Sequence, residues 1–228
     1  CIRQGHAKNL ELRYNSNGVE WRDDLFELWK HFKIVRFHYS VDSIGEMNEY
    51  IRYPSKWKRT EEVFHILDSQ TSNNVEITIA CAVQALNIFY LPDFMKWKLA
   101  QGFKKINMWP FGAGTVNYHL VYHPPHLNVK VLPKEFKEKC RVKYEEFYKW
   151  WRENWRLGVP SWYKDRVTLD AWENHTHGLV RMEGIIKFME SEDWSNRLIE
   201  TKEFLDLCDN QRGLKFEEVF PEMKDIFK

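Results

Sequence analysis

The spacing of apolar residues changes part-way along this chain. Up to about residue 111, short runs of β-branched and aromatic residues alternate with stretches whose apolar positions recur every three or four residues. The first run, 9–14, alternates polar and apolar side chains and closes on Asn15-Ser16-Asn17-Gly18. The second, 33–39, leads into Ser40-Val41-Asp42-Ser43, with Gly45 breaking the pattern. The third, 75–83, is mostly apolar on both faces, as a parallel strand covered on both sides is expected to be. A fourth, 104–109, is stopped by Pro110 and Gly112. Between them, helical spacing places Leu25, Phe26, Leu28, Trp29 and Phe32 on one face of 23–32, and Val63, Phe64, Ile66 and Leu67 inward from 57–67. A third helix, from Leu91 to about Gln101, carries Pro92 in its first turn.

Four strands alternating with three helices predict parallel βαβ units, whose right-handed crossovers lay the strands side by side in chain order. Residues 112–133 read as a loop-rich connection. Beyond Pro133 only the helical period remains, in 134–155, 169–190, 194–209 and 216–227. The expected organisation is therefore an α/β part over 1–111, a connection over 112–133, and a helical extension over 134–228.

Composition narrows the function classes. With 34 basic and 33 acidic residues the charges nearly cancel, so there is no electrostatic footprint for nucleic acid or an anionic membrane. No apolar run is long enough to span a bilayer. The 11 tryptophans read as packing and surface contact, with a stacking platform for bases as the alternative. Cys1, Cys81, Cys140 and Cys208 are scattered, with neither a CxxC nor a CxxxC pair, so a reducing cytoplasmic setting is expected, and no metal cluster is ligated by these residues alone. The chain starts in mid-pattern at Cys1 without a Met and is expected to be a fragment whose first strand has one unpaired edge.

The stretch with the most chemistry is 33–54. A parallel strand that stops on Ser40 and Asp42 places a hydroxyl and a carboxylate at its carboxyl end, where α/β folds bind ligands, and Arg52 returns a positive charge to that rim. Asp42 is expected to cap the next helix. Arg52 has a competing use in pairing with Glu46 or Glu49.

YNSNG after the first strand, SVD after the second, EYIRYP beyond it, and the later LPKEFK, LDLCDNQRG and VFPEM resemble the radical S-adenosylmethionine (radical SAM) enzymes, in the subgroup of twitch-domain-containing proteins. The resemblance implies the last four parallel strands of a (β/α)6 TIM-like partial barrel followed by a mainly helical extension. It implies a [4Fe–4S] cluster that takes an electron from an external donor and cleaves S-adenosylmethionine into methionine and a 5′-deoxyadenosyl radical. The family's CxxxCxxC loop and GGEP-like segment are absent from these residues, so the cluster ligands are expected upstream. Carried over position by position, the cofactor-binding residues are Ser16, Ser40 on the ribose, Arg52 on the methionyl carboxylate, and Val83 with Ala82 beside the adenine. Asn87 and Asn107 are weaker candidates. The implied substrate is a peptide, protein or small molecule, with no catalytic residue assigned.

Two readings from other classes stand beside this one. The first is a non-catalytic interaction module that docks a partner through Trp150, Trp151, Trp155, Trp162 and Trp172. The second is a cluster-free α/β-barrel enzyme, for which no acid/base pair is apparent. The histidines of HLVYHPPH and HTH (His119, His123, His126, His175 and His177) lack a shared face for a metal, and Cys81 reads as a buried small hydrophobe.

Overall fold

The computed structural model describes residues 1–22, 24–106, 116–159, 164–169 and 177–227. Within these, β1 (Glu11–Ser16), β2 (Ile34–Ser40), β3 (Val75–Val83) and β4 (Asn117–Leu120) form one sheet in the order β1-β2-β3-β4, with every neighbouring pair parallel. Helix α1 (Leu25–Trp29) joins β1 to β2, α2 (Gly45–Ile51) and α3 (Trp57–Asp68) join β2 to β3, and α4 (Leu91–Ala100) follows β3. Strand order that follows chain order means the sheet is wound in one direction. With crossovers of one hand, this puts the helices on a single face.

The burial pattern shows that consequence. Val35, Phe37 and Tyr39 of β2 are fully buried, whereas Ile34, Arg36, His38 and Ser40 between them are only partly so. The register carries the buried set across to Val75, Ile77 and Ile79 on one side and to Leu12, Tyr14 and Ser16 on the other. The helices seal this face: Trp29 of α1 meets Tyr14 and Phe37, and Phe64 of α3 meets Tyr39 edge-on with ring centroids 4.8 Å apart. The opposite face carries Arg13, Asn15, Arg36, His38, Ser40, Glu76, Thr78, Asn117 and His119, all partly or fully exposed. The expectation of a two-sided apolar β3 is thus corrected: Glu76 and Thr78 stand on a half-open face, and only one side is covered.

The expected strand over 104–109 is also corrected as far as residue 106. The Asp68 carboxylate at the end of α3 accepts the backbone N–H groups of Lys104, Lys105 and Ile106 at 3.0, 2.8 and 3.1 Å. Three consecutive donors held by one side chain cannot join a ladder, and this stretch is a turn. Asn107 and Trp109 lie outside the described residues. The fourth strand is β4 instead, in the segment expected to be loop. At four residues it is too short to show a period, and it is fixed by pairing with Ala80–Val83.

The helical part comprises α5 (Lys134–Asn154), α6 (His177–Glu190), α7 (Leu198–Arg212) and the short α8 (Phe216–Val219). Its buried side chains and those of the α/β part form one continuous apolar cluster. Tyr144 of α5 donates to the Ile88 carbonyl at 2.9 Å, and Tyr50 of α2 donates to Asp209 of α7 at 2.6 Å. Of the tryptophans considered as docking anchors, Trp151 and Trp155 are buried in this core and Trp150 packs against it; Trp162 and Trp172 lie outside the described residues. None of the described helices is long and apolar enough to cross a membrane.

Candidate functional site at the carboxyl edge of the sheet

The β2–β3 ladder closes at Ser40 opposite Ala80, and Val41 N–H still reaches the Ala80 carbonyl at 3.0 Å. The next donor on β3, Ala82 N–H, is taken at 2.7 Å by the Asp42 carboxylate, which replaces the carbonyl of a continuing strand. The freed Asp42 carbonyl accepts from Asn87 Nδ2 at 2.9 Å. Asn87, fully buried, donates as well to the Ala82 carbonyl and accepts from Gln84 N–H, both at 2.9 Å. Asn48 of α2 closes the other side, its Oδ1 accepting Asp42 N–H and Ser43 N–H. These side chains lock the end of β2 to the end of β3 and start the β2–α2 loop.

Arg52 enters this node. Its Nη2 donates to Asp42 Oδ1 at 3.0 Å, and its Nε stands 2.8 Å from Oδ2 without directing its N–H there. The pair therefore has one aligned hydrogen bond and one close ionic contact. Burial pushes the Asp42 carboxyl up from its usual range, while the Arg52 charge and the bonds from Arg52 and Ala82 pull it down. Neither expected alternative is met. Asp42 makes no helix cap, since Ile44 is the N-cap residue of α2 and no side chain caps it. Glu49 serves Lys56 and the Trp57 N–H rather than Arg52.

Of the four residues expected to meet one cofactor, the three that lie on strands are split between the two faces. Ser40 stands on the half-open face at the carboxyl end of β2, and its hydroxyl makes no hydrogen bond among the described residues. Ser16 pairs in register with Tyr39 and so lies on the covered face, where its Oγ accepts Gly18 N–H at 3.1 Å. Gly18 itself sits at φ +66° with Tyr39 so close that an added Cβ would stand 2.8 Å from its ring. The SNG sequence is thus accounted for by a turn that only glycine can make. Val83 is fully buried on the covered face, and its carbonyl accepts Val121 N–H. The expected single wall of Ser16, Ser40, Arg52 and Val83 is corrected accordingly.

Compared with models of known protein families and with curated proteins, the chain matches none.

Open-face residues that sequence reasoning missed complete the site. Near the amino ends of the strands, Arg36 Nε donates to Glu76 at 2.7 Å and its Nη1 to Glu11, forming an ion network across three strands. Towards the carboxyl ends the face becomes uncharged. His38 Nδ1 lies 2.7 Å from Thr78 Oγ1, which fixes the ring and leaves Nε2 for a ligand. Burial lowers the His38 pKa, and Arg13, His119 and Arg36 push the same way against Glu76. The signal was present as alternation: within IVRFHYS every second residue is apolar, and the intervening ones mark the other face. No group of three or more His, Cys, Asp or Glu among the described residues is placed to hold a metal ion.

Proposed function

We propose that this chain forms part of the S-adenosylmethionine pocket of a radical SAM enzyme of the twitch-domain type, folded as a segment of a partial β/α barrel. The observation that carries the reading is Ser40. It presents a hydroxyl without a hydrogen bond among the described residues on the uncovered face, at the carboxyl end of an all-parallel sheet wound in one direction. A sheet wound in this way becomes a barrel when continued, with the polar face inside.

The residues fit the nucleoside cofactor in part. The Ser40 hydroxyl suits a ribose oxygen. Arg52 has its Asp42-facing edge engaged, and the N–H groups of Nη1 make no bond to described residues, so they are the ones left for the methionyl carboxylate. Ser16 and Val83 have their polar groups engaged and orient this rim rather than line it. The chain's own cysteines do not fit the iron–sulfur cluster: Cys81, Cys140 and Cys208 are buried and Cys1 is far along the chain from them, so the reading takes the cluster ligands from sequence beyond these 228 residues. When bound, that cluster supplies the electron for reductive cleavage of the cofactor, drawn from an external donor. The substrate in this reading is a peptide, a protein or a small molecule lying over the open face, in a cytoplasmic setting.

Calorimetric binding of S-adenosylmethionine to the cluster-loaded protein tests the reading. Ser40→Ala is expected to weaken affinity by about 0.5–1.5 kcal/mol and Arg52→Ala by about 1.5–3 kcal/mol, a neutral and a charge-assisted hydrogen bond respectively. Cluster absorbance should be unchanged in both variants. Absence of binding by the wild type, or unchanged affinity in Ser40→Ala, would overturn it.

A further inference from the structure

Three register rows define a hollow on the open face. Ser40, Ala80 and Asn117 stand side by side on β2, β3 and β4; His38 and Thr78 form the row before them, and Ala82 and His119 the row after. The floor on β3 is therefore two alanine methyl groups, with Ser40 and His38 along one side and Asn117 and His119 along the other. Two strand spacings make it about 10 Å wide.

Among the described residues, none places an acidic side chain in the hollow. Glu11 and Glu76 lie in earlier rows and are held by Arg36, Glu11 standing also 3.5 Å from Arg13 Nη2, and the Asp42 carboxylate is buried against Arg52 and Ala82 N–H. The groups that face His38 are Arg13 and Asn15 from β1, Arg36 and Ser40 from its own strand, Glu76 and Thr78 from β3, and His119 from β4. A half-buried imidazole, His38, with the exposed His119 and an arginine beside it and no described acid in the hollow, can accept a proton as an anion arrives, so the charge is created where the ligand needs it.

We propose that this hollow binds the carboxylate of a substrate, an acidic small molecule or an acidic residue of a peptide, through His38 and His119 with Arg13 contributing charge. His38 is the positioning centre, because Thr78 holds its Nδ1 and leaves Nε2 facing the ligand, where it donates once the ring is protonated. The proposal rests on the open face being the ligand side, as in the function proposed above, but not on the identity of the cofactor. Calorimetry with S-adenosylmethionine and the titration below can therefore fail independently.

The test is an NMR titration of the histidine rings in the intact chain between pH 5 and 8, without S-adenosylmethionine. N-acetylglutamate, acetate, inorganic phosphate and the uncharged N-acetylglutamine are added in turn. The expected result is an upward shift of the His38 and His119 midpoints with N-acetylglutamate and acetate and none with N-acetylglutamine. His38→Gln and His119→Gln should each weaken N-acetylglutamate binding severalfold. Asn117→Asp, which places a fixed carboxylate in the hollow, should raise the His38 midpoint by itself and abolish the response to added carboxylate. Unmoved midpoints, equal responses to N-acetylglutamate and N-acetylglutamine, or a response to phosphate alone would each overturn the proposal, as would an Asn117→Asp protein of unchanged fold that still responds.

Discussion

The two faces of the one sheet follow different rules. On the covered face, Val35, Phe37, Tyr39, Ile77 and Ile79 interlock with aromatic side chains from α1 and α3, and the Tyr39 hydroxyl donates to the Thr60 carbonyl. On the open face the same strands carry Arg36, His38, Ser40 and Thr78, partly exposed and spaced around alanines. Adjacent residues of a single strand thus have opposite surroundings: one set is locked into the core and the other is polar and partly exposed to solvent. On this sheet a residue's side of the pleat, more than its chain position, decides whether it is core or exposed.

The sharpest way to break that comparison is to truncate neighbours on β2. Phe37→Ala removes a ring packed against Tyr14, Trp21, Trp29 and Tyr39 and should cost about 3–5 kcal/mol. His38→Ala, one residue on, loses a half-exposed bond to Thr78 and should cost below about 1 kcal/mol. Urea unfolding of the two variants measures the difference. Comparable losses would mean that the open face is a packed core face after all.

Much of this division was legible in the sequence, and where it was not, the cause is physical. The strand 75–83 declares itself as a long β-branched run, and the helices starting at Trp57, Leu91 and Lys134 through their regular periods. β4 did not, because four residues show no period and its place is set by Ala80–Val83 across the ladder. Lys104 to Ile106 resembled a strand locally, but Asp68, distant in sequence, captures the donors it would have used. Strand-end logic placed Ser40 at the carboxyl end of β2, whereas the separation of Ser16 and Val83 from it needed the register. The Asp42–Arg52 pair was missed because residues ten apart in sequence meet only once the β2–α2 loop is folded.

That pair gives the next largest effect. Asp42→Ala strands the Ala82 N–H and leaves the Arg52 charge, whose side chain is only 23% exposed, without its acid; a loss of about 3 kcal/mol is expected. Asp42→Asn keeps an acceptor for Ala82 and should cost about 1 kcal/mol. Thermal unfolding of both variants checks the order, and equal losses would show that the charge, not the acceptor, decides. Because the Asp42 pKa is raised on folding, the native state holds this proton more tightly than the unfolded chain does. The Asp42 contribution therefore declines as pH rises above the unfolded value of 3.8.

Behind the covered face, Lys98 of α4 is fully buried, and desolvation brings its ammonium down to about 7 against the opposing charge of Asp68. Below pH 7 both folded and unfolded chains hold this proton, and the cost of burying the charge is constant. Between about 7 and the unfolded value of 10.5 only the unfolded chain retains it, so stability rises with pH in that window. From pH 7 to pH 9 the gain should be about 2 kcal/mol, measured as the difference between wild type and Lys98→Met, in which it should vanish. A pH-independent difference between the two proteins would show that Lys98 stays charged in the fold. No residue of the open face should produce a rise of this kind, since its one resolved histidine shift, at His38, lies in the acid range.

The smallest effect distinguishes two serines at the ends of adjacent strands. Ser16 spends its hydroxyl on Gly18 N–H in the turn that brings Gly18 against Tyr39, so Ser16→Ala should cost about 0.5–1.5 kcal/mol in stability. Ser40 has no such partner, so Ser40→Ala should leave stability within about 0.5 kcal/mol of wild type. For ligand binding the order inverts. Ser40→Ala should weaken S-adenosylmethionine, whereas Ser16→Ala, on the far side of the sheet, should do so only as far as its turn loosens. Chemical denaturation and calorimetry on the same two preparations give both quantities. If Ser16→Ala lost affinity with stability intact, the ligand would have to reach the covered face, and the assignment of the open face as the binding side would fall.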